Sequence, residues 1–384
     1  MQKSVVLHIY KDYFPPVVGG IEKHLHTLAE AQRDRHDVRV LVAQPNGRRR
    51  TSRERLGGIE IVRVRQWGRP GGTPFCPTFP FWLRRLRGDV LHFQFPHPTG
   101  EFSYLLSRPR GAVVVTYQCD VVRQAGLLRF YAPFLRRFLR RADAIMPTSP
   151  PLIQSSPFLR RVADKCVAVP MGIPVERYER TPEIDAKARE IRSQHERPIR
   201  LFVGQLRYYK GLHFLLQALR DIDADLLVVG EGREGPALVR EVERLGLEEQ
   251  VRFVGERTGD ELLAHYYAAD VFCLPSHLRA EAFSLAQVEA MACGLPVVSC
   301  RVGTGVEWVN VDGVTGHVVP PAQPEKLSGA VRRILASPRL HRQMSEAALE
   351  RARTEFGLPL MLERIEAVYD WARTKRGPLP RFVE

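Results

Sequence analysis

No stretch of about 18 consecutive apolar residues occurs in the 384-residue sequence, which excludes a helix able to cross a bilayer. The opening Met-Gln-Lys-Ser-Val-Val-Leu-His-Ile-Tyr is too short and too polar for a secretory leader and reads as a first buried strand. Cysteine is scarce. The six, at positions 76, 119, 166, 273, 293 and 300, lack paired metal-ligand spacing, and several lie in apolar segments as reduced core thiols do. A cytoplasmic protein is the expectation. There is no aspartate cluster of the kind that holds a divalent cation, and no nucleic-acid motif or aromatic–basic pattern of an RNA reader. Acid is scarce in the first half alone: residues 1–190 hold 32 Lys and Arg against 17 Asp and Glu, whereas the remainder holds 25 against 26. The whole excess of +14 therefore sits in the first half. It points to an anionic partner (membrane lipid, nucleic acid or an acidic substrate) or to arginine-rich composition that serves solubility.

What is present is an alternation of apolar runs and helical stretches. Val5–Ile9, Val38–Ala43, Ile59–Val64, Val90–Phe93, Ala112–Thr116, Ala144–Thr148 and Val167–Val169 have the rhythm of a doubly wound parallel sheet. The pattern breaks at Pro170-Met171-Gly172-Ile173-Pro174. It restarts at Arg200–Val203 and runs through Leu226–Val229, Val251–Val254, Val271–Leu274, Val297–Ser299 and His317–Val319. Four segments follow: an N-terminal Rossmann-like domain over 1–172, an interdomain segment over 173–198, a C-terminal Rossmann-like domain over 199–358, and a terminal helix and tail over 359–384. Two such domains place a ligand cleft at the carboxyl ends of their strands.

The densest chemistry lies in Ser276–Ser299. An apolar strand ends, a polar loop follows, and Ser284 and Gln287 have the spacing of a capping box that starts a helix at Leu285. Leu285, Val288 and Ala292 form a stripe to pack on a sheet. Glu281 stands before the helix, and Glu289 sits in its second turn among small residues, where a carboxylate needs donors. The free N–H groups and dipole of the helix start suit a phosphate. Read alone, Glu281 is a loop carboxylate and Glu289 a helix residue paired with a cation. The whole string, Glu281 and Glu289 with Met291-Ala292-Cys293-Gly294-Leu295-Pro296-Val297-Val298, resembles the acidic E-x7-E motif of the retaining glycosyltransferases of family 4, which have the GT-B fold.

That resemblance implies roles for further residues. Gly204-Gln205-Leu206-Arg207-Tyr208-Tyr209-Lys210-Gly211 follows a strand. The family carries an early arginine and a late lysine in this loop, both holding the donor diphosphate. Lys210 matches; Gln205 stands at the arginine position, and Arg207 is placed to substitute. Gly230, in Val229-Gly230-Glu231-Gly232, resembles the family's turn glycine. Gly255, after Phe253-Val254, precedes the nucleobase pocket. Phe283, Ser284 and Leu285 are likewise implied to bind the donor. Glu281 is to hold sugar hydroxyls and Glu289 the ribose hydroxyls. Gly303-Thr304-Gly305-Val306-Glu307-Trp308-Val309-Asn310 is similar to the corresponding stretch of bacterial mannosyltransferases of polysaccharide assembly.

In the first half, Gly19 and Gly20 of Pro15-Pro16-Val17-Val18-Gly19-Gly20-Ile21-Glu22 match the family's first loop. His92, Gln94 and His97 end another strand. Thr116-Tyr117-Gln118-Cys119-Asp120 resembles a loop in which a histidine touches the donor sugar. Gln118 occupies that place, and glutamine hydrogen-bonds a hydroxyl but carries no proton. Two basic amphipathic stretches, Trp82–Arg87 and Leu127–Arg141, fit an anionic lipid surface, with Phe134, Leu135, Phe138 and Leu139 beside Arg136, Arg137, Arg140 and Arg141, or else pack a core and leave their arginines solvated.

The resemblance thus implies transfer of a hexose, mannose from GDP-mannose as the first choice, from a nucleotide diphosphate sugar to a lipid-linked or saccharide acceptor. It implies retention by same-face attack with the diphosphate as base, without metal or cofactor, and no nucleic acid. Two alternatives share the fold: another GT-B sugar-phosphate enzyme, and a scaffold that binds nucleotide sugar with little catalysis, given Gln94, Gln118 and Gln205.

Overall fold

The computed structural model describes residues 3–17, 19–45, 50–120, 125–219 and 222–383. The chain divides into two compact units, one formed by Met1–Met171 with Met361–Glu384 and the other by Gly172–Leu360. The division sharpens the charge asymmetry. The first unit carries 33 Lys and Arg against 16 Asp and Glu, the second 24 against 27.

The first unit is built on β1 (Val5–Ile9), β2 (Asp37–Ala43), β3 (Ser52–Leu56), β4 (Ile59–Val64), β5 (Val90–Phe95), β6 (Ala112–Tyr117) and β7 (Ala144–Pro147), in the order β3-β4-β2-β1-β5-β6-β7. Every pairing is parallel except β3 with β4. Strands covered on both faces by helices read as continuous apolar runs. Leu7, Ile9, Leu41, Leu91, Phe93 and Val115 fill one face beneath Leu83, Leu135 and Phe138 from helices, while Val38, Val40, Val42 and Ile61 fill the other beneath Leu25 and Ala29. The Val167–Val169 run forms no strand of its own; its amides at 167 and 169 bond to the Ile145 and Pro147 carbonyls of β7.

The second unit carries β8 (Ile199–Val203), β9 (Asp225–Val229), β10 (Val251–Gly255), β11 (Val271–Leu274), β12 (Val297–Cys300) and β13 (Gly316–Val319), all parallel, in the order β10-β9-β8-β11-β12-β13. Residues 173–198, expected to lie between the domains, are folded into this unit. Helix Pro182–Ser193 buries Ile184 and Ala188 and packs on helix Gly259–Ala268. Its Thr181 hydroxyl accepts from the Ile184 amide, the cap that sets its start. The last helix, Leu358–Thr374, buries Ile365, Val368 and Tyr369.

In each sheet the strand order reverses once, between β1 and β5 and between β8 and β11. Ligands of open α/β sheets bind outside the carboxyl ends of the strands at such a switch point. No helix among the described residues is long and apolar enough to cross a membrane.

Candidate active site

The second unit places its sequence-predicted residues at and after the carboxyl ends of β8, β9, β10 and β11. Gly204 follows β8 at φ +150°, Gly230 follows β9 at φ +128°, and Gly255 ends β10 at φ +74°. These are backbone angles that favour glycine. The Gly204 amide donates to the Val229 carbonyl at 3.0 Å and the Gly230 amide to the Gly255 carbonyl at 2.8 Å. A Cβ on Gly230 would run into the Gly204 carbonyl, and one on Gly232 into the Leu206 backbone. The floor of the site is therefore close-packed main chain.

Lys210 and Glu281, placed by sequence on diphosphate and sugar respectively, meet each other. Lys210 Nζ lies 2.5 Å from Glu281 Oε2, with both residues buried. Ser276, just beyond β11, donates its hydroxyl to the same carboxylate oxygen at 2.9 Å. Burial alone would lower the Lys210 pKa; the Glu281 carboxylate outweighs it and the ammonium is held above its ordinary value. The Thr304 hydroxyl donates to the Glu281 carbonyl at 2.7 Å, fixing the loop from the far side. Removing one member of such a buried pair leaves an uncompensated charge, at a cost of about 3–5 kcal/mol. Arg207 and Gln205 are exposed, and Arg207 Nε donates to Gln205 Oε1 at 2.8 Å. The Arg207 charge is near enough to oppose that of Lys210.

The helix over Leu285–Ala292 starts where the sequence indicated, without the capping box. Ser284 has φ +65° and ψ 96°, a strained conformation for a residue with a Cβ. Its hydroxyl is buried and has no partner among the described residues. The Gln287 side chain turns inward instead, donating to the Val306 carbonyl at 3.1 Å. The Leu285 and Ala286 amides are left without an acceptor among the described residues. Free N–H groups at a helix start are the kind of donor an anion accepts. Phe283 is buried, with its ring edge-on against Phe356. Val288 and Ala292 bury as expected, while Leu285 is half-buried.

Glu289 is half-buried and held by two phenols. Tyr266 donates to its Oε2 at 2.9 Å, and Tyr178 also bonds to it. Burial, then the neighbouring carboxylate, pushes both tyrosines far above their ordinary range, so both stay protonated donors. Ser276, Thr304, Tyr178 and Tyr266 were not singled out from the sequence. The strand-order reversal would have drawn attention to Ser276; Tyr178 lay in a stretch read as a linker. Tyr178 also lines a cavity of about 390 Å³ with Arg180, Tyr267, Cys293 and Arg353 among others.

The first unit gathers a second group at its own switch point. Gly19 caps the helix Gly20–Gln32 in an extended conformation, and a Cβ there would overlap the Glu22 carboxylate. A Cβ on Gly20 would meet open space, so packing does not require that glycine. Val18 lies outside the described residues. Gln118, at the end of β6, is buried and donates from Nε2 to Gln94 Oε1 at 2.9 Å. His97 is fully buried, neither ring nitrogen has a partner among the described residues, and burial lowers its pKa to about 3. It shares its surroundings with Glu101, whose pKa burial raises to about 7 against the Tyr131 hydroxyl and the His97 amide that bond to it.

The basic helix Ala125–Arg141 follows the second of its two readings, packing a core and leaving arginines solvated. Leu135, Phe138 and Leu139 are buried in the core and unavailable to a lipid surface. The exposed aromatic residues are Phe130 and Phe134, the latter touching exposed Phe102. Arg129, Arg136, Arg137 and Arg140 are exposed around them. Among the described residues no group of three or more His, Cys, Asp or Glu is arranged to hold a metal ion.

Comparison with known proteins yields two family matches: glycosyl transferases group 1 over residues 183–351, and the glycosyl transferase 4-like domain over residues 19–172. The chain is 33% identical over 362 residues to the D-rhamnosyltransferase WbpZ of Pseudomonas aeruginosa, covering 91% of this chain and 92% of that protein. It is 29% identical over 366 residues to the O-antigen chain mannosyltransferase C of Escherichia coli, covering 95% and 97%. Among solved structures it resembles the sucrose-phosphate synthase of Thermosynechococcus elongatus with a TM-score of 0.81 at 22% identity, covering 96% and 98%, a likeness of fold.

Proposed function

The chain belongs to the group 1 glycosyl transferases with a 4-like N-terminal domain and the GT-B fold, and from that premise we propose a retaining, metal-independent hexosyltransferase of glycan assembly. It takes its sugar from a nucleotide diphosphate donor, with GDP-mannose first among candidates. The observation that carries this reading is the helix start at Leu285, where the amides of Leu285 and Ala286 and the Ser284 hydroxyl have no partner among the described residues, directly after the loop that holds Glu281 of the buried Lys210–Glu281 pair.

The diphosphate sits at that helix start. Lys210, the amides of Leu285 and Ala286, and Arg207 neutralise the charge that grows on the leaving diphosphate, as a preorganised site must. Lys210 is already buried and charged, so no reorganisation is needed when the glycosidic bond breaks. Glu281, fixed by Lys210 and Ser276, turns its remaining lone pairs to the sugar hydroxyls. Glu289, its rotamer set by two phenols, accepts the ribose hydroxyls. The acceptor hydroxyl attacks from the face the diphosphate leaves, and the departing diphosphate oxygen takes its proton.

The acceptor is lipid-linked or a saccharide, and the protein works in the cytoplasm with its basic unit against the inner face of the membrane. Phe102, Phe130 and Phe134 among exposed arginines, on a unit with a large cationic excess, support that placement. Binding to vesicles containing phosphatidylserine should then weaken steeply with salt; indifference to lipid charge would remove the membrane contact. The catalytic reading is tested with purified protein. A panel of GDP, UDP and ADP and their sugars, read by thermal shift, identifies the donor, and transfer to a lipid-linked acceptor extract is lost in Glu281→Ala. Donor binding without turnover on any acceptor would leave a non-catalytic scaffold.

A further inference from the structure

A chain of buried polar side chains runs inward from Gln118. Gln118 Nε2 donates to Gln94 Oε1 at 2.9 Å, and Gln94 Nε2 lies 3.3 Å from His92 Nε2. His92 Nε2 is also 2.7 Å from the Thr116 hydroxyl, and its Nδ1 is 2.6 Å from the Tyr369 hydroxyl on the last helix. The β-period explains the alignment. His92 and Gln94 are two residues apart on β5, Thr116 and Gln118 two apart along β6 and its end, and Gln94 pairs in register with Thr116. His92, Gln94 and Tyr369 are almost wholly inaccessible.

The donors and acceptors along this chain are interdependent. An amide nitrogen can donate to His92 Nε2 only if that nitrogen carries a lone pair, which puts the ring proton on Nδ1 and directs it to the Tyr369 oxygen. Burial, and the neighbouring His8 ring 5.0 Å away, hold His92 neutral. The far end is anchored: on the same helix Glu366 accepts from Gln32 Nε2 at 3.0 Å and lies 2.7 Å from His36 Nε2, and Gln32 Oε1 meets His8 Nε2 at 2.9 Å. At the near end Gln118 Oε1 has no partner among the described residues.

We propose that His92, Gln94 and Tyr369 are positioning residues that lock the Gln118 amide with its nitrogen inward, so that this position offers a ligand only a carbonyl oxygen and selects a hydroxyl able to donate. The proposal rests on the reading of Gln118 as a sugar contact. It makes the sugar position beside Gln118 one where a hydroxyl is required and an acceptor such as fluorine is refused, and it gives the last helix a part in donor selection.

Two measurements test it. In the full-length protein labelled with ¹⁵N-histidine, His92, assigned through His92→Gln, should be a neutral Nδ1–H tautomer, and Tyr369→Phe should shift the tautomer balance; an Nε2–H tautomer in the wild type overturns the proposal. Kinetics with GDP-mannose and its deoxyfluoro analogues supply the second. Gln94→Met and Tyr369→Phe should each raise KM roughly three- to tenfold, the worth of one neutral hydrogen bond. Neither should add to the loss in Gln118→Ala, and one fluorinated position should be penalised in the wild type but not in Gln118→Ala. Full additivity, or a lowered Tm with unchanged KM, also overturns it. If no nucleotide sugar reacts, the proposed function falls, while the tautomer measurement still decides the chain.

Discussion

Glu101→Gln should remove a pH dependence of stability that belongs to the first unit. Glu101 is buried in the first turn of the helix Pro98–Ser107, and its carboxyl pKa is raised from the ordinary 4.5 to about 7 by burial, against the bonds from Tyr131 and the His97 amide. Between those two values the folded chain holds a proton that the unfolded chain has lost, so stability falls as pH rises. The contribution is complete below 4.5 and gone once the pH has passed through 7. At about 1.4 kcal/mol for each unit of pH, the change amounts to about 3 kcal/mol between pH 4.5 and 8. Glutamine keeps the shape and carries no titration. The assay is urea unfolding of wild type and variant from pH 5 to 8.5, following the transition of the first unit. Titrations common to both proteins cancel in the difference. The variant should gain on the wild type from pH 5 to about pH 7 and then level off, by about 2.5 kcal/mol in all. A difference that stays flat, or one that reverses sign, refutes the idea that this carboxyl is buried against its charge.

Two further outcomes are expected. Lys210→Ala should weaken donor binding far more than Gln118→Ala, by roughly a hundredfold against tenfold, because it removes a buried charge rather than one neutral bond; equal affinities by calorimetry would sink the diphosphate assignment. Gly230→Ala should lower stability by more than about 2 kcal/mol, since the new Cβ meets the Gly204 carbonyl at a backbone angle suited to glycine; an unchanged Tm would mean the two strand ends are farther apart than described.

The two sheets were legible because strands covered on both faces carry unbroken apolar runs. β3 was missed for the complementary reason: Ser52-Arg53-Glu54-Arg55-Leu56 is an exposed antiparallel edge whose charged side chains suit a sheet border and give no apolar signal. Residues 173–198 read as a linker from their charge, although Ile184 and Ala188, four apart, were the sign of a packed helix. At the site, the loop glycines and both glutamates could be placed because turns and helix starts are local. Their partners could not. Lys210 and Glu281 are 71 residues apart, and His92 and Tyr369 are joined across 277. Ser284 and Gln287 had the right spacing for a capping box, but Gln287 found a carbonyl at Val306 inside the fold, a competitor that no local pattern reveals.

The glycines at the strand ends have a consequence for how this protein can change. A floor of peptide groups in van der Waals contact has no side chains to exchange, so single substitutions there break the surface without reshaping it. On the proposed function, new donor preferences arise beside that floor in the same unit, where Gln205 stands in place of the arginine expected of family 4 and Arg207 is exposed next to it. On that reading, the part of the molecule that holds what all donors share is closed to variation. The part that meets what distinguishes one donor from another is open, which lets a lineage switch sugars without rebuilding its nucleotide seat.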